Sequence, residues 1–261
     1  MMRSLYTAST GMYAQQLNVD TLAHNISNVN TTGFKKQRVE FQDLLYQQIR
    51  RPVVTDNSNE PVGLSVGLGV KPSATQTSFT QGNLQASSNA LDVAISGLAF
   101  FKLEGMGNDT QMYTRDGALK VDSEGNLCTA AGYKLVGSEA LEADAYDVQI
   151  AKDGTVTYMT PGSDAAQEAG KLELAKFANP AGLEALGGNL YIATASSGEP
   201  EDWDPESDST VSIQSGYLEM SNVQIVEEMV GLITAQRAYE MNSKVIQSSD
   251  EMLQTATSLR R

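Results

Sequence analysis

One cysteine, one histidine and one tryptophan serve all 261 residues, and no apolar stretch is long. Each scarcity excludes something. A lone Cys128 forbids an internal disulfide and any zinc cage built on cysteines; its plain role is a small side chain in a strand. His24 is the sole histidine, on an N-terminal helical pattern away from any expected cleft, so no His-centred catalytic constellation is expected. Gly63, Gly67 and Gly69 lack the spacing and context of a phosphate-binding loop. Carboxylates are plentiful, but sequence alone cannot bring two of them to catalytic distance. No run approaches about eighteen apolar residues, so no membrane-spanning helix and no direct membrane insertion are expected. Residues 1–16 lack a continuous apolar core followed by an A-x-A-like site, so no cleaved signal peptide is expected. The chain reads as a non-enzyme without cofactor or metal.

Positive charge is also scarce. Lys and Arg number 18 against 32 Asp and Glu, a net charge of -14. The deficit is local: residues 1–51 hold six basic and three acidic side chains, residues 52–215 eight and twenty-three, and residues 216–261 four and six. An acidic middle is a poor partner for nucleic acid, which needs clustered Lys and Arg. The acids between Glu199 and Asp208, around Trp203, admit a calcium-binding surface module as a rival reading. They lack the EF-hand spacing and its glycine, so a solvated acidic loop is the default.

Proline is missing from both ends; all seven lie between Pro52 and Pro205. Long helices require that absence. From Leu5 the positions Ala8, Met12, Gln15, Val19, Leu22, Ile26 and Val29 are apolar except Gln15. Ile225, Leu232, Tyr239, Ile246 and Leu253 recur every seven residues. Such a rhythm keeps one stripe on one side of a helix, suited to a partner helix. The spacing predicts a first helix over about Ser4 to Asn30, closed near Gly33. It predicts a second from about Ser221 to Leu259, opened by a Ser221/Gln224 capping box. One apolar stripe on each helix does not offset the entropy of ordering them, so the free monomer is expected to hold them loosely. Ala235, Ser249 and Ala256 are small enough to let a neighbouring helix approach.

Between the ends the signals are β. Phe41 to Leu45 has some helical character, and residues 50–72 read as extended and loop-like. From Thr75 on, short apolar runs alternate with turns: Val93 to Ile95, Phe100 to Leu103, and Leu127 to Thr129 after a turn at Ser123 to Asn126. Asp-Gly pairs predict one hairpin of Tyr113-Thr114 with Leu119 to Val121, and another of Val148 to Ile150 with Val156 to Tyr158. The expected fold is α+β: N- and C-terminal helices (1–33 and 217–261) form a coiled-coil core domain, 34–74 is an extended connecting segment, and 75–216 is an inserted, mainly antiparallel β domain.

The residues Asn25-Ile26-Ser27-Asn28-Val29-Asn30-Thr31-Thr32-Gly33-Phe34-Lys35-Lys36 resemble the N-terminal signature of bacterial flagellar rod and hook axial proteins. Leu218 to Leu253, with Ala235-Gln236-Arg237-Ala238-Tyr239-Glu240 and Asn242-Ser243-Lys244, resembles their C-terminal signature. Tyr113 to Gly117, Gly125-Asn126-Leu127 and Gly132-Tyr133 look like the shared β body. His24 and Ser27 depart from the usual Asn and Ala but keep similar size. The length, and Phe41 to Pro52 followed by Gly67-Leu68-Gly69-Val70, are most similar to the distal-rod members. In that family the segment resembles the one that distinguishes a straight rod from a curved hook, and Tyr46, Arg50, Pro52, Gly67 and Gly69 carry it here.

The resemblance implies a structural subunit that leaves the cell through the flagellar type III export apparatus without a cleaved signal. It implies a hollow helical homopolymer in the periplasmic part of the basal body, a drive shaft carrying torque from motor to hook. Proximal rod proteins, the hook protein, and the P ring and L ring would be its neighbours. A proximal rod or hook protein of the same family is the nearest alternative. Leu5, Met12, Val19, Leu22, Ile26, Asn25 and Asn28 in front, and Ile225, Leu232, Tyr239, Ile246 and Leu253 behind, are the expected subunit-interface residues. Asn25, Asn28 and Asn30 can also bond local backbone where the helix ends. Lys35, Lys36 and Arg38 read as a solvated basic turn.

Overall fold

The computed structural model describes residues 2–51, 53–55, 58–60, 62–105, 111–142, 144–161, 166–205 and 208–259. The fold is α+β, and the chain divides into two compact units. One comprises residues 1–26, 37–76 and 224–261; the other comprises 27–36 and 77–223.

The first unit holds helix α1 (Met2–Ser27) and helix α2 (Ile225–Ser258). Glu227 and Glu228 in the first turn of α2 suit the positive end of its dipole. The expected capping box is not formed. Gln224 is the N-cap and makes no side-chain cap bond, while Ser221 Oγ accepts the Val223 N–H at 3.3 Å. Residues 221–223 are held in the β unit instead, where Asn222 Oδ1 accepts the Lys36 N–H at 2.7 Å. Phe41 to Leu45 is not helical either: Gln37–Asp43 is a strand paired with Val70–Thr77. A strand partner outweighs weak local helix preference. Residues 50–72 are more regular than a loop. Tyr46–Arg50 pairs antiparallel with Leu64–Gly67, and Val53–Thr55 with Ser58–Glu60. Pro52 lies outside the described residues.

The β unit centres on a six-stranded antiparallel sheet in the order Glu184–Gly187, Leu190–Ile192, Met112–Thr114, Phe100–Leu103, Leu174–Lys176, Glu201–Asp202. Side chains alternate across a strand, so Phe101 and Leu103 enter the main apolar core with Val93, Ile95 and Leu127. Phe100 points the other way, into a second core of edge-to-face rings with Phe79, Phe177 and Tyr191. The hairpin around Asp153-Gly154 forms, pairing Tyr146–Ile150 with Thr155–Met159, and Gly154 adopts φ 89°. Cys128 is buried in a short strand, Leu127–Cys128, paired with Lys120–Val121.

The hairpin expected at Asp116-Gly117 does not form. Met112–Thr114 pairs with Phe100–Leu103 and Leu190–Ile192 instead. Gly117 serves close approach, since a Cβ there would sit 1.5 Å from the Val93 carbonyl oxygen. Among the described residues no helix is long and apolar enough to cross a membrane.

Candidate assembly interface and its anchor

Helices α1 and α2 touch along positions that are small or polar, apart from Leu22. Ser4 Oγ lies 3.3 Å from Ser249 Oγ. A Cβ on Gly11 would stand 3.0 Å from Asn242 Nδ2, and one on Gly231 would stand 3.4 Å from Leu22 Cδ2. Asn25 Nδ2 donates to Glu228 Oε2 at 3.0 Å. Early residues of α1 meet late residues of α2, so the pair is antiparallel. Contact positions 4, 11 and 25 face 249, 242 and 228, all at multiples of seven. The buried residues of α2 are Glu228, Ala235 and Ser249. A line at multiples of seven on α2, through Glu228, Ala235, Asn242 and Ser249, meets α1, and of the expected apolar line on α1 Leu22 stands against Gly231.

The expected interface residues fall around this seam. Leu5, Met12, Val19, Leu22 and Ile26 are half-buried, as are Leu232, Ile246 and Leu253. Ile225 and Tyr239 are exposed. Val19 and Tyr239 come together with Gln16, Gln236 and Glu240 around an open groove of about 540 Å³. On the side of α2 opposite the seam, Val226, Met229, Val230 and Ile233 form an apolar stripe, between 47% and 75% exposed. The sequence reading missed this stripe, although its spacing of three and four was visible.

Asn25 is fully buried and its amide is used within the chain. Besides Glu228, it donates to the Gln37 carbonyl at 2.8 Å and accepts the Gln37 N–H at 3.0 Å. Asn28 is half-buried, and its Oδ1 accepts from Thr31 Oγ1 at 3.2 Å.

In the expected straight-rod segment, Tyr46 is paired with Gly67 and Arg50 with Leu64, all exposed. A hydrogen bond to Asp43 pushes the Tyr46 hydroxyl pKa up. A Cβ on Gly67 would meet the Tyr46 ring at 3.5 Å. Gly69 has φ 117°, and a Cβ there would sit 2.3 Å from Thr10 Oγ1 on α1. This glycine lets the segment lie against the helix.

Of the basic turn, Arg38 is exposed and Lys36 half-buried, but Lys35 is not solvated. Lys35 is 1% exposed and Arg115 is 1% exposed, and both close on Glu219 in the β unit. Lys35 Nζ donates to Glu219 Oε1 at 2.6 Å and to the Thr80 carbonyl at 2.8 Å. Arg115 Nε donates to Glu219 Oε2 at 2.9 Å and Nη2 to the Gly97 carbonyl at 2.8 Å. The guanidinium carbon stands 5.6 Å from the Phe100 ring centroid. No local signal links Lys35 to a carboxylate 184 residues away.

Burial, and then the neighbouring Arg115 cation, pull Lys35 down to about 8, against the opposing pull of Glu219. The unfolded chain holds this proton up to its ordinary value of 10.5. Below pH 8 both states are protonated and the term is flat. From pH 8 to 10.5 the unfolded state binds more protons, so this group makes stability rise with pH. The urea midpoint of the β unit should therefore gain on going from pH 7.5 to 9.5. Lys35→Met should show less of that gain; an identical pH profile in the variant would refute the assignment.

The acids near Trp203 are partly matched by lysines: Asp202 and Glu173 pair with Lys102, and Asp208 with Lys176. Among the described residues no group of three or more potential ligands could hold a metal ion.

Three family descriptions match this chain: "Flagella basal body rod protein" over residues 5–35, "Flagellar hook protein FlgE/F/G D1 domain" over 94–158, and "Flagellar basal body rod FlgEFG protein C-terminal" over 214–259. Over its full length the chain is 48% identical to the whole flagellar basal-body rod protein FlgG of Borreliella burgdorferi. It is 46% identical to that of Agrobacterium fabrum, covering 96% of this chain and 97% of the relative. It is 42% identical to that of Caulobacter vibrioides, covering 99% and 100%.

Proposed function

Because the chain belongs to the flagellar basal-body rod protein FlgG family, whose members are structural subunits, we propose that it polymerises into the distal rod, a hollow helical drive shaft between motor and hook. The terminal helices are the packed core of the tube and acquire their coiled-coil partners from neighbouring copies. One observation carries this reading: the helix pair spends its internal seam on Ser4, Gly11, Asn242 and Ser249 and leaves Val226, Met229, Val230 and Ile233 in solvent. A helix with apolar side chains outside its seam has further surface to cover. Among the described residues the buried apolar side chains of the helical unit are few, Ala8, Ala14, Val39 and Ala235. The β unit, by contrast, has two apolar cores.

Leu5, Met12, Val19, Leu22 and Ile26, with Ile225, Leu232, Tyr239, Ile246 and Leu253, complete the contacts between copies. Packed helices deform little, which suits a shaft under torsion. The paired strands Tyr46–Arg50 and Leu64–Gly67 straighten the polymer through their exposed Tyr46, Ile49 and Leu64. Neighbours of the assembled subunit are proximal rod proteins, the hook protein and the P and L rings, in the periplasmic part of the basal body. The subunit reaches that place through the type III export apparatus.

Electron microscopy of concentrated full-length protein should show straight tubes; curved ones would point to a hook-type subunit. Hydrogen exchange at α1 and α2 should slow at least a hundredfold from dilute monomer to polymer. Equal protection of both helices in the two states would overturn the proposal.

A further inference from the structure

Residues 27–36 begin with the last residue of α1, yet they belong to the β unit. Their fastening is dense. The Gly33 N–H donates to the Glu219 carbonyl at 2.8 Å, and Lys35 Nζ to its carboxylate. The Lys36 N–H donates to Asn222 Oδ1, and Asn189 Nδ2 to the Thr32 carbonyl at 2.9 Å. Thr32 Oγ1 donates to Asp116 Oδ1 at 2.8 Å. Gly33 adopts φ 69°, and a Cβ there would stand 2.9 Å from the Arg115 carbonyl carbon, so the arm lies flush on the strand end.

The other arm, residues 217–223, leads into α2. Tyr217–Glu219 pairs with Leu84–Ala86, and Asn222 Nδ2 donates to the Ser78 carbonyl at 2.9 Å. Glu219 sits where the two arms meet. Its backbone oxygen and one carboxylate oxygen bind the first arm. The same carboxylate accepts the Gly82 N–H at 2.9 Å and Arg115 Nε at 2.9 Å. One residue on the second arm thus ties the first arm, residue 82 and residue 115.

We propose that Glu219 is a positioning residue for assembly, fastening the arms 27–36 and 217–223 to each other so that the exit of α1 and the entry of α2 stay fixed while the helices themselves are unordered. The purpose of this fastening rests on the proposed polymerisation, but the fastening itself is read in the monomer, so either can fail without the other. Joining the arms closes the excursion of residues 37–216 and leaves the two helices tethered at neighbouring points. Their meeting is then a local event, without the entropy of closing a long loop.

The test is hydrogen exchange on the dilute, full-length monomer. In the wild type, amides in 31–36 should be protected like those of Phe100–Leu103, whatever the state of residues 2–26. Lys35→Met removes only the side-chain tie and leaves the Arg115–Glu219 pair intact. It should raise exchange in 31–36 at least tenfold and leave Phe100–Leu103 unchanged. Glu219→Ala should loosen both 31–36 and Gly82, with Glu219→Gln restoring part of the protection through its amide oxygen. Three results would overturn the proposal: wild-type amides in 31–36 exchanging as fast as an unfolded peptide, Lys35→Met leaving them unchanged, or its effect spreading equally through Phe100–Leu103.

Discussion

Val230→Glu should abolish polymer formation at concentrations where the wild type assembles, with the monomer unchanged. Val230 is 56% exposed on α2, opposite the side that meets α1. A surface substitution of this kind shifts monomer stability by about 0.5 kcal/mol at most. Glutamate is also a better helix former than valine, so a melted α2 cannot explain a loss. Between copies the balance differs. The valine forfeits about 1.5–3 kcal/mol of burial. The carboxylate adds a desolvation cost of several kcal/mol unless a cation meets it. Each 1.4 kcal/mol is about tenfold in concentration. The threshold for assembly should therefore rise at least about a hundredfold, read by sedimentation across a dilution series. Lys120→Glu, a charge reversal on an exposed strand of the β unit, controls for net charge and should leave the threshold within about threefold. Assembly of Val230→Glu at the wild-type threshold would remove the outer stripe from the interface.

Why that stripe escaped the sequence reading is physical. Apolar residues every seven positions select Ile225 to Leu253 as the partner-facing line. The line that meets α1 carries Glu228, Asn242 and Ser249, which no hydropathy rule selects. Small residues mark close backbone approach: of the three that the sequence offers, Ala235 and Ser249 are buried and Ala256 is exposed. The helices themselves were legible because proline-free length and periodicity act locally. Asp-Gly was an even-handed signal: at 153–154 it closes a hairpin, and at 116–117 it does not. The deciding factor is the Val93 backbone packed against Gly117, a contact between residues far apart in the chain. Lys35 is the same lesson in charge. Beside Lys36 it looked solvated, and only the folded β unit brings Glu219 to it.

Glu219→Ala should be the most damaging single truncation of the β unit. The wild-type carboxylate accepts from Lys35, Arg115 and the Gly82 N–H, all inside the protein. Alanine leaves two buried cations without a counter-charge, and among the described residues Arg115 Nη1 has no hydrogen-bond partner even before the change. Stranding a buried charge costs about 3–5 kcal/mol. For a unit of this size 1 kcal/mol is roughly 2–4 °C of melting temperature, so Tm should fall by roughly 10 °C. Lys35→Met should be far milder, because it removes a cation whose burial is itself costly and leaves Arg115 paired with Glu219. Lys35 and Glu219 bond each other, so the two changes will not add. The double variant Lys35→Met/Glu219→Ala should melt above Glu219→Ala, since one stranded charge is fewer than two. That ordering distinguishes a charge effect from simple loss of packing, in which the double variant would be the worst of the three. A fall of less than about 3 °C for Glu219→Ala, or a double variant melting below both singles, would show that this carboxylate does not hold the arms.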